Sequence, residues 1–181
     1  MSQPSYNLTP HQAELDLAKT IAANLVKHSN QPNMQYKISI VATTKKKLCV
    51  ACFPHHIIIS RGVLLMCLDM KSISQWEMIG ILEDFSINLA PHVCENHLAA
   101  LIAHELIHIM QDHFKHKSFV KQRLQEFECD SKGTELLIKA GYKPCAFESI
   151  FRIALRFGIT HPYVTFQERI SKLKIRMLHH Y

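Results

Sequence analysis

The chain has 181 residues, 48% of them apolar, and 21 Lys and Arg against 15 Asp and Glu give a formal net charge of +6. This length and composition support one hydrophobic core and exclude a comfortable split into two substantial domains. The basic residues are scattered, apart from a "TKKK" stretch that reads as a solvated hairpin turn, so no nucleic-acid partner is expected.

The longest apolar runs, "GVLLMCL" and "LAALIA", fall well short of the roughly 20 residues that cross a bilayer, so no transmembrane segment is expected. The opening "MSQPSYNLTP" has neither the basic end nor the apolar stretch of a secretory signal. A cytoplasmic location is therefore the expectation, although export by another route would be compatible with it. Six cysteines at irregular spacing read as reduced thiols. The one C-x-x-C, Cys49 to Cys52, falls in a strand-like run where residues three apart point to opposite faces, which favours buried small side chains over a metal knuckle.

In chain order, Thr9 as N-cap, Pro10 in the first turn and Gln12 at the capping-box position open an amphipathic helix marked by Leu15, Ala18, Ala22 and Leu25. "YKISIVA", "KLCVACF" and "HHIIIS" then predict a small antiparallel sheet over residues 35–60. "RGVLLMCLDM" reads as helix, and residues 75–89 as a further helix. After the loop "APHVCEN" comes the strongest helical pattern, roughly 95–114. Helices over about 117–140, stopped by Gly141, and over 144–157 and 164–179 complete the chain. The expected class is α+β, mostly helical. As one domain over 1–181 it comprises an N-terminal helix and sheet (9–60), central helices (61–140) and C-terminal helices (144–179).

The chemistry lies in "HELIH". His104 and His108, four apart on a helix, put both imidazoles on one face within reach of a single zinc ion. Glu105 is rotated by about 100 degrees, where it can reach a water on that ion without displacing it. This is the H-E-x-x-H arrangement of zinc hydrolases. Leu98, Leu101, Ile102, Leu106 and Ile109 make the helix a core element, so its polar side chains need partners, and a metal provides them.

A catalytic zinc also takes a third protein ligand and keeps an open position. Gln111 and Phe114 occupy the places where a third-histidine pattern would have Gly and His. "EFECDSKG" supplies Glu126 and Asp130 on one helical face instead: Glu126 as ligand, and Asp130 as acceptor for the free ring N–H of a ligand histidine. Gly133, one turn later, permits close packing against the motif helix. Glu128, rotated about 160 degrees from Asp130, competes for the role of third ligand, and Glu126 is preferred.

These residues resemble the gluzincin zinc metallopeptidases that include the heat-shock protease HtpX and the CaaX prenyl protease. Four blocks match in order: "PHHIIISRGVL", "LAALIAHELIHIMQDH" with His113 nine residues after the first ligand, "EFECDSKGTELLIKAGY" with Cys129 where alanine is usual, and "THPYVTFQERISKL". The resemblance implies a zincin-like domain in a minimal form without the family's membrane helices. It implies one zinc per chain on His104, His108 and Glu126, and hydrolysis of protein or peptide substrates with Glu105 as general base. The family's Pro-Gly-Gly turn is Pro54-His55-His56 here, and Arg169 follows His161 by eight residues rather than six.

Two further expectations follow. "HHIIIS" is expected to act as an edge strand that binds an extended peptide through backbone hydrogen bonds. His161, on a loop between Gly158 and Pro162, is expected near the zinc, either filling its open position or donating a hydrogen bond to the developing oxyanion. The rival to an endopeptidase is a catalytically silent, zinc-bound peptide-binding or chaperone-like module, against which an intact Glu105 speaks.

Overall fold

The computed structural model describes residues 12–41, 50–69, 89–115 and 118–177. They form a mostly helical α+β assembly. Helix α1 (Gln12–Lys27) buries Ala18, Ile21, Ala22, Leu25 and Val26, the i, i+3, i+4, i+7, i+8 stripe of a helix laid on a core. The predicted cap at Thr9 and Pro10, all but the last residue of the predicted helix over 75–89, and Cys49 of the C-x-x-C lie outside the described residues.

The sheet has three strands, β1 (Lys37–Val41), β2 (Val50–Phe53) and β3 (His56–Ser60), in the order β1-β3-β2. The expected all-antiparallel sheet is corrected: β2 and β3 form an antiparallel hairpin, but β1 pairs with β3 in parallel, Lys37 opposite His56 through Val41 opposite Ser60. The hairpin turn is Pro54-His55, with Phe53 opposite His56. His55 takes a φ of 60°, the left-handed conformation that glycine adopts most easily. Lys37 N–H donates to the His55 carbonyl at 2.7 Å, which fastens the turn to the start of β1.

This order also corrects the edge-strand expectation. β3 is hydrogen-bonded on both sides, so its backbone has no free edge for a peptide. The physical reason lies in its composition: Ile57 and Ile59 are fully buried, and so apolar a run gains most at the centre of the sheet.

Helix α2 (Arg61–Met66) follows β3 directly. Helix α3 (Glu95–Met110) then runs through the middle of the molecule, with α1, β2, α4 (Phe119–Lys139) and α5 (Ala146–Arg156) against it. Its buried residues, Leu98 to Ala100, Ile102 to His104, Leu106, Ile107 and Ile109, leave little of its surface to water. Such all-round burial is why the motif histidines sit in protein rather than solvent. Gly133 on α4 allows the close approach the sequence called for: a Cβ there would stand 2.9 Å from the Phe147 ring and 3.5 Å from the His104 backbone nitrogen.

Helices α4 and α5 stop in the same way. Gly141 (φ 83°) and Gly158 (φ 65°) each sit just past a helix end. Tyr142 N–H reaches Leu137 O at 2.9 Å, and Ile159 N–H reaches Ala154 O at 3.0 Å, closing Schellman caps. The second cap turns the chain into the loop that carries His161 and leads to α6 (Phe166–Met177). Gly158→Ala forces a Cβ into the left-handed region at a cost of about 1–2 kcal/mol. The expected outcome is a thermal midpoint lower by a few degrees, read by circular dichroism.

Candidate metal centre

Helix α3 presents His104 and His108 one turn apart, with their Nε2 atoms 3.1 Å from each other. Helix α4 brings Glu126 across them, Oε2 at 3.2 Å from His104 Nε2 and Oε1 at 3.4 Å from His108 Nε2. Three ligand-capable groups thus face one point. Donors bound at about 2.0–2.1 Å in a tetrahedron stand about 3.3–3.4 Å apart, close to the spacing seen here. Glu126 Oε2 is buried without a hydrogen-bond donor, so this lone pair lacks the partner a buried carboxylate requires. A cation at the focus would satisfy it, and the donor set fits a metal ion.

His104, His108 and Cys129 also form a group able to hold a metal, with one ligand atom each within 4.8 Å of one another. Cys129 pairs with His113, whereas Glu126 pairs with both motif histidines. The thiol lies 3.5 Å from His113 Nδ1, which is itself 3.2 Å from His108 Nδ1. Glu126 faces Nε2 of both rings. One ion cannot be held by both nitrogens of a single imidazole, and on the Nε2 side the Glu126 carboxylate supplies the third donor. Burial and the carboxylates of Glu126 and Glu105 push the Cys129 thiol well above its ordinary pKa.

Behind the rings lies a buried ionic layer. Asp130, one turn along α4 from Glu126, has Oδ1 at 3.0 Å from His104 Nδ1, in position to accept that ring N–H and leave Nε2 free. Arg169 of α6 donates from Nε to Asp130 Oδ2 at 2.8 Å and from Nη2 to Oδ1, and its Nη1 lies 3.4 Å from Glu126 Oε2. Its Cζ sits 4.2 Å from the centre of the Phe151 ring, a cation–π seat for a guanidinium that is only 5% exposed.

The electrostatics follow from these contacts. Burial alone would hold His104 neutral, but the charge of Glu126 beside it and the hydrogen bond to Asp130 outweigh it and raise its pKa to about 10. Burial works against ionised Glu126 as well, yet His104, His108 and Arg169 hold it far below the usual carboxylate range. Asp130 is lowered chiefly by Arg169, against its own burial. The cluster is built to hold positive charge.

His161 reaches the same site: Nε2 lies 3.5 Å from Glu126 Oε2, with the side chain 23% exposed. Its Nδ1 faces the Tyr163 N–H at 3.3 Å, and burial lowers its pKa, with Arg169 adding to the effect. Glu105 lines the cavity in front of His104 and His108. That cavity has a volume of about 440 Å³ and an apolar wall that includes Val63, Met66, Leu101, Ile150 and Phe151. Glu128 is turned away, 3.4 Å from His113 Nε2 and 2.6 Å from Lys132 Nζ.

Every site residue expected from the sequence therefore lies in or beside one cluster. The eight-residue spacing did not argue for Arg169, yet it is the main counter-ion of Asp130. The sequence marks Cys129 only as a residue standing where alanine is usual. No protein-family model, curated protein or solved structure matches the chain.

Removing Arg169 strands two buried carboxylates. Arg169→Ala is expected to cost about 3–5 kcal/mol in folding free energy, measured by urea denaturation, because the remaining charges lose their partner. Arg169→Lys restores the charge but not the bidentate fork, and its stability should fall between the two.

Proposed function

We propose that the chain is a zinc-dependent endopeptidase of gluzincin type with a zincin-like catalytic domain. The observation that carries this reading is the convergence of His104 Nε2, His108 Nε2 and Glu126 within 3.1–3.4 Å of one another on two packed helices. These three residues would hold the zinc, with Asp130 setting the tautomer of His104. Bound zinc supplies a water of pKa near about 7 and polarises the substrate carbonyl.

The chain's own residues do the rest. Glu105, beside the first ligand and on the cavity wall, accepts the proton of the attacking water and delivers it to the leaving amine. The apolar wall takes substrate side chains out of water next to the scissile bond. For His161 the Tyr163 amide supports the donor role: an Nδ1 that accepts from a backbone N–H leaves the proton on Nε2, where it points into the site as a hydrogen-bond donor and not as a lone pair.

The catalytically silent module differs in one residue's use. Glu105→Gln is expected to retain one zinc per chain by elemental analysis and to lose peptide cleavage by several orders of magnitude, whereas a binding module would hold peptide equally well with either side chain. Ala at His104, His108 or Glu126 should remove most of the metal, and wild-type metal content in the triple variant would refute the assignment.

For His161, Ala should slow cleavage about 100-fold with zinc retained if the ring stabilises the oxyanion. Faster cleavage in that variant would assign it the opposite role, as a group that fills the open metal position.

A further inference from the structure

Helix α3 ends abruptly after Met110. Gln111 caps it, and Asp112 takes a φ of 51°, a left-handed conformation that Asp tolerates better than most residues. Asp112 N–H donates to Ile109 O at 3.1 Å, and the chain reverses into the short turn His113–Lys115. The reversal returns His113 to the helix it has just left. Its ring meets that of His108 edge to face, with centroids 5.1 Å apart. Gln125 of α4 steadies the turn, its side-chain amide donating to the His113 carbonyl at 3.3 Å.

The nitrogens are aligned as well as the rings. His113 Nδ1 lies 3.2 Å from His108 Nδ1, and His113 Nε2 lies 3.4 Å from Glu128 Oε2, while Lys132 engages the other oxygen of that carboxylate, Oε1. Two neutral imidazoles can share a hydrogen bond only if one nitrogen carries the proton and the other offers its lone pair. Nε2 of His108 faces Glu126 and His104, so as a ligand this ring must carry its proton on Nδ1. His113 Nδ1 is then the acceptor, and its own proton sits on Nε2, facing a carboxylate. The Cys129 thiol, 3.5 Å from the same His113 nitrogen, is a second weak donor aimed at that lone pair.

We propose that His113 is a positioning residue of the metal centre: it accepts the Nδ1–H of His108, fixes the tautomer and tilt that leave His108 Nε2 to the metal, and is itself held by Glu128. This rests on the reading of His108 as a ligand. In this arrangement the two motif histidines are oriented differently, His104 by a carboxylate directly and His108 by a carboxylate through a second imidazole.

The test measures zinc affinity by chelator competition on the full chain, so it does not depend on activity. His113→Leu removes the acceptor and should weaken zinc binding about 10–100-fold. His113→Asn places an acceptor oxygen near the position of Nδ1 and should bind within about threefold of wild type. Wild-type affinity in His113→Leu overturns the proposal while leaving the metal site standing. Equal weakening in both variants also overturns it, since the ring's bulk and not its lone pair would then matter. Failure of the wild-type protein to bind zinc refutes the underlying site instead. Should His113→Leu not fold, nitrogen-15 histidine spectra of the zinc-loaded wild type decide: His108 protonated on Nδ1 and His113 on Nε2 are expected, and a His113 ring protonated on Nδ1 overturns the proposal.

Discussion

The structure depends on keeping a set of charges ionised inside protein. Glu126, Asp130 and Arg169 are each less than a tenth exposed, and His104 lies among them. A carboxylate or guanidinium taken out of water costs several kcal/mol unless its partners are excellent. Arg169 meets that condition geometrically: it forks onto Asp130, approaches Glu126 and sits over the Phe151 ring. The three helices that meet here are therefore coupled by a pairing that tolerates little movement. α3 supplies His104, α4 the two carboxylates and α6 the guanidinium.

Charge balance explains why the cluster holds together and also why it remains incomplete. Two carboxylates face one permanent cation. The difference is made up by whatever sits between the two Nε2 atoms and Glu126, a proton on His104 or a metal ion. Glu126 Oε2, within 3.5 Å of three cationic or potentially cationic side chains, still has no hydrogen-bond donor of its own. A chain selected only for stability would do as well with apolar side chains of similar volume. Retaining this arrangement makes physical sense where the focus has a cation to bind.

Much of the site was legible because helix geometry is rigid. Four-residue spacing places His104 with His108, and Glu126 with Asp130, whatever the tertiary context. That the two pairs face each other followed only from the chemical need for a third ligand. What could not be read depends on contacts remote in sequence. Arg169 joins the site because the Gly158 cap and the following loop fix where α6 begins, and a residue count from His161 does not encode that. His113 returns to His108 through the left-handed turn at Asp112, which no helical pattern predicts. Glu14, 1% exposed in an otherwise regular amphipathic helix, accepts the Leu89 N–H at 2.9 Å and faces Arg61, with no signal in the local pattern.

The sheet makes the same point from the other side. Alternation identified its strands but not their order, because strand order is set by which strand gains most from being covered. "HHIIIS" carried that information: three successive β-branched residues describe a strand flanked on both sides better than one at an edge. With β3 central, β1 lies on its far side and pairs with it in parallel, and the hairpin partner β2 is left next to the motif helix. The strand that a sequence pattern offers for substrate binding is thus consumed by the core. Among the described strands only β1 and β2 keep an outer edge, and of these β2 is the one packed against α3, so the packing of a triple isoleucine decides which strand lies against the motif helix.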